Sequence, residues 1–435
     1  MTDTLNVDYL VIGAGASGMA FVDILLSESD ATVAIVDKLD KPGGHWNDAY
    51  SFVTLHQPSS FYGVSSKELS KGVIDKTGLN AGFHELASGS EILAYYDDLM
   101  RETFIPSGRV TFLNKCEYLG DGRVRSLLTN KETTISYAKI VDATFYKTSI
   151  PATHTPGFQI GENVKLIPPN ALIKQSKPAE GYVLVGGGKT AIDTCIWLLE
   201  HGIDPDDIRW IMPRDAWLLN RKNTQPSNQF FFDTIGAQAD QMEAIAAAEN
   251  MEDLFLRLEQ AGVMFRIDQS IFPSMFHGAT ISEQELLQLR RVKNIIRMGR
   301  VSQINANEIV LAEGSLPTST EVVHIDCTAS AITNLDTQDV FSGERITLQT
   351  VRAYQPVFSA AFIAHIELAY DDTAKKNDLT RVVPLPNHTS DWMTMTYKNM
   401  MNQFFWSKEP GLKQWLLDNR LDGFMTMVMA FGSIK

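Results

Sequence analysis

Two stretches of the chain share one pattern of apolar and polar positions. In each, a short apolar run is followed by a cluster of glycines, and then by apolar residues at helical spacing. The first stretch covers residues 8–26 with its glycine turn at 13–18, and the second covers residues 182–202 with its turn at 186–191. Each pattern predicts a strand, a tight turn and a helix, the opening of a βαβ unit.

Both stretches continue in the same way. A further β-rich run follows each predicted helix, at residues 32–36 and 208–212. Each half later reaches an apolar run that ends in Asp-x-Thr, at Asp142 and Asp326, so the spacing from turn to aspartate is 142 − 13 = 129 and 326 − 186 = 140 residues. We therefore expect an α/β protein with two Rossmann-like dinucleotide-binding domains, the second inserted in the first.

The segment between the two units contains several prolines and predicts a crossing between domains. Beyond the second unit the chain is expected to return to the first domain. The expected boundaries are 1–150 for the first part of the first domain, 151–179 for the linker, 180–325 for the second domain, and 326–435 for the return and a C-terminal helical region.

Three further segments carry local signals. Residues 235–262 have helical spacing, and Ser282 with Glu285 forms a capping box that predicts another helix start. The apolar, methionine-rich stretch 424–434 is too short to span a bilayer, so it is expected to pack in the core or at a subunit contact, with a substrate lid as the alternative if it is exposed.

Composition excludes several classes of function. The 435 residues carry 38 basic and 52 acidic side chains, a net charge of −14, which argues against nucleic-acid binding. The three cysteines are far apart and give no disulfide framework, no redox pair and no metal-ligand motif. The first basic residue is Lys38, so the apolar N-terminal stretch does not have the form of a signal peptide. We expect a cytoplasmic protein without a transmembrane segment, and a homo-oligomer is possible.

The residues around the turns indicate which groups they bind. A glycine turn at a helix N-terminus brings backbone N–H groups to a pyrophosphate. Asp37 ends the strand after the first turn, where a carboxylate accepts hydrogen bonds from a ribose. The equivalent strand of the second unit ends in Arg214, whose guanidinium suits a 2′-phosphate, and Lys189 adds positive charge in that turn. The second site is therefore expected to bind NADPH, with a solvated surface arginine as the alternative.

At this point the chain resembles the flavin-containing monooxygenase-like class of two-domain flavoproteins. The resemblance rests on the turn 13–18, the phrase Gly43-Gly44-His45-Trp46 and the turn 186–191, in that order along most of the chain. It implies that the first domain binds FAD and the second binds NADPH. It also implies that residues 55–60 line the flavin, with Gln57 at a position where Asn is common.

One diagnostic phrase of that class is missing. The FxGxxxHxxxW/F phrase should precede the second turn, and residues 157–164 contain no matching histidine. We therefore expect a divergent member. The expected catalytic residues are His56 and Gln57, and the expected cofactor-binding residues are Gly13, Gly15, Ser17, Gly18, Asp37, Lys38, Gly44, His45, Trp46, Gln57, Asp142, Gly186, Gly188, Lys189, Thr190, Arg214, Arg221 and Asp326.

Several of these residues have a second interpretation. Trp46 either contacts the flavin or packs beneath it, and His56 is either an acid/base near the flavin or a hydrogen-bonded structural residue. Arg221 either reaches the nicotinamide nucleotide or lies in a solvated loop.

The resemblance implies a single-component, FAD- and NADPH-dependent monooxygenase that uses O2 and acts through a C4a-(hydro)peroxyflavin on a small organic substrate. The aromatic runs 230–232 and 404–406, together with Trp392, suit an apolar or aromatic substrate and would equally suit a core. The alternatives are a single-component flavin-dependent halogenase, an NADPH-dependent flavin oxidase or reductase, and a non-enzymatic redox sensor.

Overall fold

The computed structural model describes residues 4–330, 332–333 and 336–423, and the stretch 424–434 lies outside them. Among the described residues, no helix combines the length and the apolar character needed to cross a bilayer. The same residues contain no group of three His, Cys, Asp or Glu side chains arranged to hold a metal ion.

The first domain is built on a parallel sheet. Its elements up to residue 142 are β1 (Thr4–Ile12), α1 (Ala16–Glu28), β2 (Val33–Val36), α2 (Gly89–Leu99), β3 (Val110–Leu113), β4 (Cys116–Gly120), β5 (Arg123–Ser126) and β6 (Glu132–Asp142). In the sheet, β1 lies between β2 and β6, β3 continues beyond β2, and these strands run parallel. The antiparallel pair β4–β5 joins the sheet through β6. The strand order therefore reverses between β1 and β6, at the first glycine turn.

The second domain repeats this arrangement. Its elements are β7 (Gln159–Ile160), β8 (Leu166–Ile167), β9 (Gly181–Val185), α3 (Lys189–Glu200), β10 (Ile208–Ile211), β11 (Ala216–Asn220), α4 (Phe231–Ala247), α5 (Met251–Gln260), β12 (Met264–Phe265), β13 (Met275–Ile281), α6 (Glu283–Leu289), β14 (Ile295–Ile296), β15 (Val301–Ile304), β16 (Glu308–Leu311), β17 (Gly314–Pro317) and β18 (Val322–Asp326). The parallel order is β14-β10-β9-β18-β8, which places the reversal between β9 and β18, at the second glycine turn. Two smaller sheets, β12-β11-β13 and β17-β16-β15-β7, complete the domain.

The chain then returns to the first domain. The returning elements are β19 (Phe341–Ser342), β20 (Arg345–Thr347), α7 (Pro356–Ala369), α8 (Thr373–Leu379), α9 (Asp391–Lys408) and α10 (Leu412–Asp418). β20 pairs in parallel with β6, and α7 packs along α1. Because α1 lies between the sheet and α7, its residues from Gly18 to Leu25 are all buried. The predicted fold class is confirmed, including the insertion of the second sheet into the first domain.

Two segments differ from the expectation. The segment expected to be only a linker supplies β7 and β8, and β8 is an edge strand of the second parallel sheet. The helical pattern of residues 235–262 is divided into α4 and α5, because Asn250 caps a new helix by accepting a hydrogen bond from the Asp253 N–H at 3.0 Å. The capping box of Ser282 and Glu285 is confirmed at the start of α6.

Candidate functional site

The first glycine turn lies at the carboxyl end of β1. No side chain caps the N-terminus of α1, and its first turn contains no acidic residue, so the backbone N–H groups there are open to an anion. Ser17 lies in this first turn. A Cβ on Gly18 would collide with the carbonyl oxygen of Gly13, so the turn can be this tight only with glycine.

The phrase Gly43-Gly44-His45-Trp46 lies directly against this turn. A Cβ on Gly44, whose φ is +55°, would lie 2.9 Å from the Cα of Gly15, so the two backbones touch. The Trp46 ring is buried, and its Nε1–H donates to the Tyr62 hydroxyl at 2.8 Å. His45 stacks on Trp46 and is open to the cleft, but the protein around it lowers its pKa to about 4.

Asp37 faces the first turn as expected. Its Oδ2 accepts a hydrogen bond from the Ala14 N–H at 2.6 Å, and its Oδ1 accepts one from the Leu39 N–H at 2.8 Å. Each carboxylate oxygen keeps a free lone pair for a further donor. Lys38 is engaged elsewhere, because its Nζ lies 2.9 Å from Glu117 on β4 in an exposed ion pair.

The second turn also leaves a helix N-terminus open. Gly188 precedes α3 without a side-chain cap, and nothing lies within 4 Å of the position its Cβ would take. Lys189, expected to present a free charge here, is instead ion-paired with Asp193 one helical turn later, with both side chains 12% exposed. Its charge is therefore balanced inside the protein.

Tyr50 connects the two turns. Its hydroxyl donates to Asp193 at 2.8 Å and also contacts Thr190, while burial raises the pKa of Tyr50 and keeps it a neutral donor. Tyr50 stands six residues after Gly44, a length of chain that spans at most ~22 Å. The two turns therefore lie close together, connected by the segment 44–50.

Arg214 lies at the end of the second sheet among other basic side chains. Its guanidinium donates to Asn387, at 3.0 Å to the side-chain oxygen, and His277 also contacts that oxygen at 2.9 Å. Burial and then the neighbouring Arg300 lower the pKa of Arg214. Burial lowers the pKa of His277, and Arg214 and His388 lower it further. Within the described ranges, neither Arg214 nor Arg300 forms an ion pair with a carboxylate.

His56 and Gln57 lie between the domains. His56 is half-buried, and burial followed by the charges of Lys189 and Arg221 lowers its pKa to about 3, although Glu285 opposes this shift. The imidazole is therefore neutral near pH 7, which fits a hydrogen-bonding role better than an acid/base that titrates near neutrality. In the part of the chain that the structure describes, the half-buried Gln57 amide has no hydrogen-bond partner.

Arg221 differs from both expectations. It is neither in a solvated loop nor available to a nucleotide, because its side chain is 1% exposed and its Nη1 lies 2.7 Å from Glu285. Its Nε–H also donates to the carbonyl of His56 at 2.9 Å. The residue ties the segment that carries His56 and Gln57 to the second domain.

The two Asp-x-Thr phrases adopt the same local structure. Asp142 accepts hydrogen bonds from the Thr144 N–H and hydroxyl at 3.0 and 2.8 Å, and Asp326 accepts from Thr328 at 2.9 and 2.6 Å. Each aspartate thus closes its own turn beside a glycine turn. A Cβ on Gly186 would lie 2.6 Å from the carbonyl oxygen of Cys327, so this segment holds the second turn in place.

Sequence reasoning missed Tyr50, Asp193, His277 and Asn387. Only Asp193 had a sequence signal, because a lysine and an aspartate four residues apart on a helix form an ion pair. The others come together through tertiary structure alone. A cavity of about 570 Å³ lies apart from the two turns, between the segment 337–340, the end of α8 and α9.

Comparisons with known proteins agree with this architecture. The family model described as an NAD(P)-binding Rossmann-like domain matches residues 11–57, which include the first turn, Asp37 and the Gly44 phrase. The uncharacterized protein Rv2000 of Mycobacterium tuberculosis is 45% identical over 422 residues, which are 96% of this chain and 78% of that protein. The chain therefore belongs to the same family as Rv2000.

Solved structures share the fold of this chain. Cyclohexanone monooxygenase in its rotated, cyclohexanone-bound form matches with a TM-score of 0.52 at 14% identity, covering 94% of this chain and 98% of that one. A complex of OTEMO with FAD and NADP matches with a TM-score of 0.52 at 13% identity, covering 86% of each chain. At the level of fold, the resemblance to flavin-containing monooxygenases is confirmed.

Proposed function

We propose that this protein is a single-component monooxygenase that binds FAD in its first domain and NADPH in its second, and that uses O2 on a small organic substrate. The observation that carries the proposal is the pair of open glycine turns, which are connected by the segment 44–50. Two dinucleotides bound at these turns would extend toward the same space, as a hydride transfer between them requires. The fold shared with OTEMO, which was crystallised with FAD and NADP, supports the choice of cofactors.

The first turn fits FAD. A Cβ on Gly44 would fill the space where Gly44 approaches Gly15, and the uncapped N-terminus of α1 suits a pyrophosphate. Asp37 would hold the ribose through its free lone pairs. Because the Trp46 N–H is committed to Tyr62, the Trp46 ring would act by packing, and His45 would face the cofactor from the cleft.

The second turn fits NADPH better than NADH. Arg214 and Arg300 form a local concentration of positive charge in an acidic chain, and His277 adds hydrogen-bonding capacity at its edge. The half-buried Arg214 and the exposed Arg300 repel one another, and a phosphate dianion would relieve this repulsion. Lys189 is paired with Asp193, so its proposed role is to orient α3 rather than to bind phosphate.

When bound, FAD supplies the redox chemistry, accepting a hydride from the nicotinamide and passing the electrons to O2. The chain's own residues bind, orient and exclude water. The unpartnered Gln57 amide and the neutral His56 imidazole would offer hydrogen bonds at the flavin face without adding charge. The segment 44–50 would shield the cleft from solvent.

The test uses the purified protein. Bound flavin is identified by mass spectrometry, its anaerobic reduction by NADPH and NADH is compared, and O2 uptake is then measured with sulfides, amines and ketones. We expect FAD, a preference for NADPH of at least about tenfold, and an oxygenated product. Protein that takes up no flavin would overturn the proposal. Hydrogen peroxide without product would favour the oxidase, and halide-dependent chlorination or bromination of an added aromatic compound would favour the halogenase.

A further inference from the structure

A buried ion pair lies at the boundary between the two domains. Arg221 is 1% exposed, and its Nη1 lies 2.7 Å from the Glu285 carboxylate. Burial of two charges costs free energy of desolvation, which their attraction often only offsets. Such a pair is therefore weak evidence for stability. Its position between the domains indicates a role in holding them together.

The guanidinium of Arg221 contacts both domains at once. On the side of the first domain, its Nε–H donates to the His56 carbonyl at 2.9 Å and its Nη1 contacts the Asn80 side chain at 3.3 Å. On the side of the second, it contacts Glu285 and the Thr280 carbonyl, the latter at 3.4 Å. A planar fork can hold these directions together, because its donors are fixed relative to one another.

Glu285 is itself held rigidly. Its Oε2 accepts from the Ser282 N–H at 2.6 Å, and its own N–H donates to the Ser282 hydroxyl at 3.0 Å. This capping box fixes the start of α6, and α6 packs against α3, the helix that begins at the second glycine turn. A continuous set of contacts therefore leads from the second turn through Glu285 and Arg221 to the peptide between His56 and Gln57.

We propose that Arg221 is a positioning residue that couples the two nucleotide sites. It fixes the His56–Gln57 peptide beside the first site, and its own position depends on how α6 packs against α3 at the second site. The inference rests on the proposed function, since it requires that two nucleotides bind. It assigns Arg221 no direct contact with either of them. Coupling of this kind is reciprocal, so a nucleotide at the second site changes FAD affinity by the same factor that FAD changes affinity for that nucleotide.

The ring of His56 provides an independent readout. The charged groups that face it are Lys189, Arg221 and Glu285, and its pKa is lowered by burial first and by the two cations next. If the charge of Arg221 is removed and Glu285 remains, the pKa of His56 rises. If Lys replaces Arg221, the charge stays and the pKa of His56 stays low, but the planar fork is lost.

The experiment measures FAD dissociation constants with and without saturating NADP+. The main variant is R221M/E285Q, which removes both buried charges together while Gln keeps the capping-box hydrogen bond. The matched control is K376M/E367Q, which removes another buried pair, 2.6 Å apart and 9% and 5% exposed, that lies wholly within the first domain. We expect FAD to bind several-fold tighter to the wild type with NADP+ present, and this factor to fall to about one in R221M/E285Q but not in the control.

The outcomes separate this inference from the proposed function. A wild type that binds no FAD would overturn both, whereas an unchanged coupling factor in a folded R221M/E285Q would overturn the role of Arg221 alone. A wild type that binds both nucleotides without coupling would also overturn it. If R221M/E285Q does not fold, R221K decides: we expect reduced coupling with an unchanged His56 titration by NMR, and full coupling in R221K would overturn the inference.

Discussion

The two glycine turns have similar backbones, but the strand that follows each helix approaches its turn differently. At the first turn, the Asp37 carboxylate fills the space between β2 and the turn by accepting the Ala14 N–H. At the second, the backbone of Arg214 itself is close, because a Cβ on Gly187 would lie 2.7 Å from the Arg214 carbonyl oxygen. Gly187 stands where the first turn has Ala14, because a larger side chain there would collide with the Arg214 carbonyl.

This difference determines what the side chain at the end of the second strand can do. In the first unit, the Asp37 side chain is tied to the turn by the Ala14 N–H. In the second, the backbone makes that approach, so the Arg214 guanidinium is free to reach Asn387 and lie near Arg300. Asp37 corresponds in register to Met212, and Arg214 lies two residues further along its unit. The proposed function gives these two segments different kinds of recognition, and the contrast can be tested one turn at a time.

The largest effects are expected from G15A and G188A. Both glycines have ordinary φ values, −75° and −88°, and an added Cβ would meet only the Gly44 Cα at 3.7 Å or nothing within 4 Å. Both variants should therefore fold but obstruct a pyrophosphate. We expect G15A to lose FAD affinity by more than about 100-fold, and G188A to stay yellow and lose NADPH affinity to a similar degree, measured by titration.

The matched control for these variants is G18A, in which the Cβ would collide with the Gly13 carbonyl and the fold itself should fail. A G15A protein that retains full FAD affinity would contradict the assignment of the first turn. Loss of FAD from G188A at unchanged melting temperature would show that the two turns are not independent sites.

The next largest effect is expected from a substitution of Arg214, beside the second turn. R214Q removes a charge that has no acidic partner, so the folded protein loses little, while a bound 2′-phosphate loses a charge-assisted hydrogen bond worth about 1.5–3 kcal/mol. We expect the KM for NADPH to rise about 10- to 100-fold, with little change for NADH, in steady-state reduction assays. Equal losses for both nucleotides would contradict a 2′-phosphate site.

Much of this arrangement was predictable, because it is encoded locally. The strand–turn–helix pattern predicted both turns; Asp37 directly follows β2, whereas Arg214 lies three residues beyond the end of β10. The capping box at Ser282 was equally local, since its two hydrogen bonds join residues three apart. Each of these signals depends on residues adjacent in sequence, which is why sequence alone was sufficient.

The rest depends on residues far apart in sequence. Nothing near Arg221 indicates that Glu285, 64 positions later, neutralises it in the core. Lys189 was expected to face a nucleotide, although the competing partner Asp193 stands one helical turn away. The aromatic segments considered for the substrate divide between core and surface: Trp392 and Trp406 are 1% exposed, whereas Phe232 is 76% exposed. Apolar character alone could not separate these environments.

A smaller effect distinguishes the histidines beside the two turns. The surrounding protein lowers the pKa of His45 to about 4 near the first turn and lowers that of His277 near the second, although both side chains are exposed. In the unfolded chain both protonate near about pH 6.5, so below this pH the unfolded state binds more protons and the free energy of unfolding falls. The loss continues until the pH reaches the lowered pKa values.

Urea unfolding at about pH 7.5 and about pH 5.5 measures this dependence in the wild type, H45Q and H277Q. H45Q should flatten the pH dependence more than H277Q. Neighbouring cations lower the pKa of His277, but its hydrogen bond with Asn387 favours the protonated imidazole and opposes that shift. A wild-type slope retained in H45Q would show that this histidine is solvated rather than desolvated in the folded protein.

The smallest effect is expected at the connection between the turns, in Y50F. The substitution removes the 2.8 Å hydrogen bond to Asp193, worth about 1.5–3 kcal/mol as a bond to a charged group, but Asp193 keeps its ion pair with Lys189. Y118F is the control, because the Tyr118 hydroxyl has only a 3.5 Å contact with Tyr137. We expect Y50F to weaken NADPH binding about three- to tenfold and FAD binding less, in titrations made well below the melting temperature of each variant. Since Tyr50 belongs to the first domain and Asp193 to the second, an equal loss at both sites would mean that this bond sets the distance between domains. A loss confined to NADPH would mean that the first domain supplies part of the second site.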